Sequence, residues 1–172
     1  MRAGLTTVVV VALTGLPSVA AAKTWKGLTP GKSLRAEVEQ KLGKPPKVSD
    51  NQGKCAQKLI YGGEQKPEGT KEAHICLDAG GKLLEISVFP DVDLDRGTVE
   101  EAYGDEYRKK LTDEFLTYWH YEREGLVVFF EKGGRTVKVL LFVEAKPNAK
   151  KPPVRDSKDK DKGGGSTEEG PD

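Results

Sequence analysis

Three observations predict an α+β fold of two layers, short helices on antiparallel sheet. The stretch Gly31 to Pro46, GKSLRAEVEQKLGKPP, places Leu34, Val38 and Leu42 at i, i+4 and i+8, one stripe of a helical period, and stops at Gly43, Pro45 and Pro46. Glycine pairs at Gly80-Gly81 and Gly133-Gly134 sit between apolar, β-branched runs, which signals two hairpins. A degenerate copy of the helix then returns, with Arg96, Val99 and Gly104 standing where Arg35, Val38 and Gly43 stood. The expected architecture is therefore two tandem units, residues 23–91 and 92–145, each a helix on a three-stranded antiparallel sheet. Two such sheets can merge edge to edge or sit back to back.

Before the first unit, residues 1–22 read as a signal peptide. Met1-Arg2 is a thin basic start, Ala3 to Leu16 an apolar run, and Ala20-Ala21-Ala22 satisfies the small-residue cleavage rule. Thr6, Thr7, Thr14 and Pro17 interrupt a run already short for a bilayer span, so no stable membrane insertion is expected after cleavage. No cysteine near the cleavage site offers a lipid anchor. Export makes Cys55 and Cys76, the only two cysteines of 172 residues, a candidate disulfide. A loop of that size contributes roughly 3 kcal/mol.

In the first helix Ser33 is the expected cap, and an isolated helix of this length is marginal unless it lies on a sheet. Lys54 to Tyr61 then reads as a strand, Gly62 to Lys71 as a loop, and Ala73 to Leu77 with Lys82 to Phe89 as the hairpin. In the second unit Val99, Tyr103 and Tyr107 form the helical stripe. Phe115 to Glu122 is the first strand, and Leu126 to Phe130 with Arg135 to Val143 the hairpin. From Lys146 to Asp172 proline, glycine and alternating charge replace apolar residues, the composition of a disordered tail.

If each glycine pair is a two-residue turn, the register follows. Leu77 faces Leu84, Ile75 faces Ile86 and Ala73 faces Val88, which leaves His74, Cys76, Glu85 and Ser87 on the other side. In the second hairpin Phe130 faces Val137, Val128 faces Val139 and Leu126 faces Leu141. The opposite side then carries Val127, Phe129, Leu140 and Phe142, relieved by Lys138. A solvated face needs no such residues, and with Tyr118 and His120 nearby they make a candidate partner-binding patch.

Chemistry finds less support. Asp91, Asp93 and Asp95 have the opening spacing of a calcium loop, but Arg96 and Ala102 occupy the places of its glycine and its bidentate glutamate. Asp95 reads better as a cap of the second helix. His74 and Cys76 share a strand face without a full zinc set. Ser87 stands opposite His74 with no orienting acid or oxyanion element in view. Gly163 to Gly165 lack the following Lys-[Ser/Thr] of a phosphate loop. A net charge of +1 gives no reason to invoke nucleic acid. No metal or cofactor is expected.

The line GKSLRAEVEQKLGKPP followed by HICLDAGGKLLEISVF resembles the SmpA/OmlA (BamE-like) family of small envelope proteins, through Gly31, Ser33, Val38, Leu42, Gly43 and Pro45. The resemblance implies a helix closed by Leu-Gly-x-Pro on a three-stranded sheet. The tandem arrangement is similar to that of the β-lactamase inhibitor protein, which grips a partner on a sheet face. Two departures are the missing acylated cysteine and Gly104-Asp105-Glu106 in place of Gly-x-Pro. The expected function is a monomeric, non-catalytic protein-binding module in the periplasm or outside the cell. It would bind another envelope or secreted protein through Tyr118, His120, Val127, Phe129, Leu140 and Phe142. Two alternatives remain: a hydrolase or metal-dependent enzyme around His74, Glu85 and Ser87, or a structural envelope protein.

Overall fold

Apolar residues at alternate strand positions need a covering layer on one side only, and two short helices supply it. The computed structural model describes residues 22–50 and 53–152. In chain order it contains α1 (Arg35–Leu42), β1 (Lys47–Asp50), β2 (Gln57–Gly62), a 3-10 turn (Gly63–Gln65), β3 (Thr70–Leu77) and β4 (Leu83–Pro90). Then follow α2 (Arg96–Tyr103), β5 (Arg108–Leu111), β6 (Thr117–Tyr121), β7 (Leu126–Phe130) and β8 (Val137–Val143). All eight strands pair antiparallel in one sheet, in the order β1-β2-β3-β4-β8-β7-β6-β5.

This corrects the expected fold class. Among the described residues the fold is mainly one eight-stranded antiparallel sheet, with α-helix confined to two eight-residue segments, not two tandem helix-plus-three-strand units. Two physical reasons account for the difference. Strands β1 and β5, sequences KVSD and RKKL, are short edge strands carrying charge, and such strands show no apolar alternation to read. The sheet is also continuous at its centre, where β4 pairs with β8 from Glu85↔Val143 to Val88↔Leu140, a contact distant in sequence. The expected signal peptide falls outside the described residues except for Ala22, and of the expected tail only Lys146 to Pro152 is described.

The core lies between the helices and the sheet. Leu59, Tyr61, Ile75, Ile86, Leu126, Val128 and Phe130 meet Val38 of α1 and Val99 of α2 there. Tyr107 stacks on Trp119 at 3.9 Å, and Trp119 meets Phe130 edge-on at 4.7 Å. Residue Leu34, expected in the buried stripe, is instead the N-cap of α1 and half-exposed. Ser33 does not cap; its hydroxyl accepts from the Thr29 amide at 3.1 Å. Asp95 does cap α2, accepting from the Thr98 amide at 2.7 Å. That helix ends at Gly104 rather than running on to Tyr107.

Hydrogen bonding makes the first hairpin turn longer than two residues. The Gly81 amide donates to the Asp78 carbonyl and the Asp78 amide to the Lys82 carbonyl, with Gly81 at φ 78°. A bulge at Cys76/Leu77 absorbs the extra residue, so Ile75↔Ile86 and Ala73↔Val88 pair as expected while Leu77 pairs with Leu83 instead of the expected Leu84. The second hairpin has its bulge at Phe129/Phe130, which displaces the rest of the register by one residue. Val128 pairs with Leu140 and Leu126 with Phe142.

Candidate protein-binding face

Directly opposed residues of an antiparallel pair share a face, so the register alone assigns sides. One row crosses all eight strands on the side without helices: Arg108, His120, Val127, Leu141, Ser87, His74, Ile60 and Lys47. A neighbouring row runs Lys110, Tyr118, Phe129, Val139. The apolar groups therefore gather over β6, β7 and β8, with basic residues at both sheet edges.

Four of the six residues chosen from sequence, Tyr118, His120, Val127 and Phe129, come together on this face, where Val127 is covered by its neighbours and only 7% exposed. Leu140 and Phe142 do not. Both are directed to the helix side, 8% and 3% exposed, and belong to the core. The bulge at Phe129/Phe130 is the reason, because a one-residue slip moves every side chain of the following strand to the other face. Sequence reasoning in turn missed Val139, Leu141 and Val143, which take those places half-buried. No alternation signal could have revealed them, since Val139 and Leu140 are both apolar and either could face in.

Aromatic stacking organises the centre: the Tyr118 and Phe129 rings lie 5.3 Å apart and nearly parallel. Beside them a carboxylate collects cations. Glu122 stands 3.4 Å from Arg108 Nε, 3.5 Å from Lys110 Nζ and 3.5 Å from His120 Nδ1. Burial alone would raise the Glu122 carboxyl, but His120, Arg108 and Lys110 together outweigh it and hold it below its ordinary range. Burial also lowers the His120 imidazole; Glu122 opposes this, while Lys110, Lys146 and Arg108 add to it. The imidazole is thus neutral near pH 7 and offers both a donor and an acceptor.

The chain after β8 passes this end of the sheet. The Lys146 amide donates to the Glu122 carbonyl at 2.9 Å, Arg108 to the Lys150 carbonyl at 3.1 Å, and Lys151 pairs with Glu106 at 2.8 Å. At the other end of the face, His74 bonds Glu72 and lies 5.0 Å from the Phe89 ring. Ser87 is opposite His74 in register, and Glu85 is opposite Cys76. Among the described residues no hydrogen bond joins Ser87 to His74, and no group of three or more His, Cys, Asp or Glu could hold a metal ion.

Cys55 and Cys76 stand at disulfide distance, their Cα atoms 5.3 Å apart. The link ties the segment before β2 to β3, and Cys76 is almost fully buried at 4% exposure. Among the described residues no helix is long and apolar enough to cross a membrane.

No family model matches the chain, and no curated protein matches it. Among solved structures the chain is similar to a DUF4309 family protein, YjgB, from Bacillus subtilis subsp. subtilis str. 168, known from a crystal structure at 2.13 Å resolution. The TM-score is 0.51 at 15% identity, over 69% of this chain and 84% of that one. At that identity the likeness speaks for the fold alone.

Proposed function

We propose that the chain is an exported, non-catalytic module that binds another protein of the cell envelope or the secreted fraction through the helix-free face of its sheet. The apolar centre of that face carries the proposal: Tyr118 stacked on Phe129, with the half-buried Val139 and Leu141 of β8 beside them and Val127 packed beneath. An aromatic anchor within an apolar patch, rimmed by charge, is the anatomy of a protein-binding surface. The charged rim here is Arg108, Lys110 and Glu122 at one end, and Glu72, which bonds His74, at the other. Export to an oxidising compartment, the periplasm or beyond, is supported by the cysteine pair at disulfide distance. Kinship with the SmpA/OmlA-like modules is part of the proposal, carried by Leu42-Gly43-Lys44-Pro45 at the close of α1.

A crosslinking pull-down from envelope extract tests the reading, comparing the natural chain with Phe129→Asp/Leu141→Asp. The double variant should lose the natural chain's dominant partner while keeping the near-ultraviolet dichroism of the buried Trp119 and Tyr121. An unchanged partner on a folded double variant would refute the face. Phe142→Asp is unsuitable, because that side chain is in the core and its replacement would unfold the sheet.

A further inference from the structure

We infer a second binding site, on the opposite side of the sheet from the open face, for a phosphate ester. At the C-terminal end of α1 an open cleft of about 460 Å³ is lined by Lys26, Lys41, Lys44 and Lys66, with Leu42, Pro67 and a single carboxylate, Glu68. That volume is within the ordinary range for small-ligand sites. Lys66 is already paired, 3.5 Å from Asp91. Among the described residues Lys26, Lys41 and Lys44 have no carboxylate within ion-pair distance.

Three further features show that the lysines are gathered rather than scattered. Lys26 has φ 49°, a left-handed backbone that lysine seldom adopts, in a tight turn closed by reciprocal Trp25 and Leu28 hydrogen bonds. Gly27, next in that turn, has φ 71°, and a methyl group there would stand 2.6 Å from Lys41 Nζ. The Lys41 ammonium therefore lies against the Gly27 backbone, beside Lys26. Finally, the Gly43 carbonyl, whose negative end would repel an anion, accepts the Tyr61 hydroxyl at 3.0 Å. Burial is the main influence that pushes the Tyr61 hydroxyl up to about 12, so it stays a donor at any physiological pH.

The corresponding end of α2 makes the contrast. There Gly104 is followed by Asp105 and Glu106, and Glu106 is neutralised by Arg123 at 3.4 Å and Lys151 at 2.8 Å. Of the two helix ends, the one at α1 gathers three lysines that make no ion pair among the described residues. Lysines act as point charges suited to a phosphate anion, the Gln65 side chain adds a donor, and Leu42 with Pro67 can cover a short carbon chain. A phosphate monoester or a phosphodiester on a polymer both meet this description.

The experiment is a titration of the full chain with inorganic phosphate, glycerol 1-phosphate and poly(glycerol phosphate), read by backbone amide shifts. Saturable shifts should appear at Gly27, Gly43 and Lys44, weaken at least tenfold in Lys41→Gln/Lys44→Gln, and strengthen in Glu68→Gln. Tighter binding of the polymer per phosphate would assign a polymer-borne group, and equal binding a free ester. Shifts spread evenly over surface lysines, equal shifts with chloride, or affinity unchanged in the lysine double variant would overturn the site.

Discussion

Phe115 is 83% exposed and has φ 59°, in the turn between β5 and β6 where its amide donates to the Thr112 carbonyl. Left-handed backbone costs a residue with a β-carbon about 1–2 kcal/mol, part of which glycine returns as unfolded-chain entropy. Phe115→Gly should therefore raise stability by about 1 kcal/mol, read as a higher urea midpoint. A lower midpoint would mean that the ring stabilises the fold. His120 yields a pH prediction. Its folded imidazole is held below the ordinary value of 6.5, so as pH falls the unfolded chain binds the proton first. Stability present above about pH 6.5 then declines below it and levels off once the folded ring is also protonated. Glu122 acts in a separate, lower window, its contribution fading as pH falls through its depressed value. His120→Gln should flatten the thermal-midpoint profile between about pH 7 and about pH 5, and an unchanged slope there would assign it to other groups.

At the scale of elements, each helix is tied to the sheet in the same way. The Tyr61 hydroxyl of β2 donates to the Gly43 carbonyl, and the Tyr121 hydroxyl of β6 to the Gly104 carbonyl, both at 3.0 Å. Losing either hydroxyl leaves a helix-end carbonyl without that donor, so Tyr61→Phe and Tyr121→Phe should each cost about 1 kcal/mol in denaturant unfolding. A cost near zero for either would show that water replaces the hydroxyl. Much of the element plan was legible beforehand, because β2, β3, β4, β7 and β8 have strong apolar patterning and both helices end at glycine. The edge strands were not, since Lys47–Asp50 and Arg108–Leu111 are built of residues that discourage further pairing rather than bury themselves. Nor were the bulges. Their position is decided by how the turns close, and in β8 a run of apolar residues accepts either register without a local penalty.

For the whole molecule, the decisive contact is the pairing of β4 with β8, which turns what would be separate sheets into one and leaves it covered on a single side. Local periodicity carries no information about such a contact, and so a merged sheet and a back-to-back pair stood as equal alternatives in the sequence. The partner patch was partly legible, because Val127 and Phe129 fall at alternate positions to the core residues Leu126, Val128 and Phe130 within one strand, although only Phe129 of the two is more than slightly exposed. A third of its membership then depended on the bulge: Leu140 and Phe142 went to the core, and Val139 and Leu141 took their places. The central claim is that the open face, and not the helical side, meets a partner. Its most direct test is a photo-crosslinking side chain placed at Phe129 and, separately, at Leu34, which is 52% exposed on the helical side. In envelope extract the account predicts a discrete adduct from position 129 and none from position 34. Adducts from position 34 alone, or from neither, would contradict it.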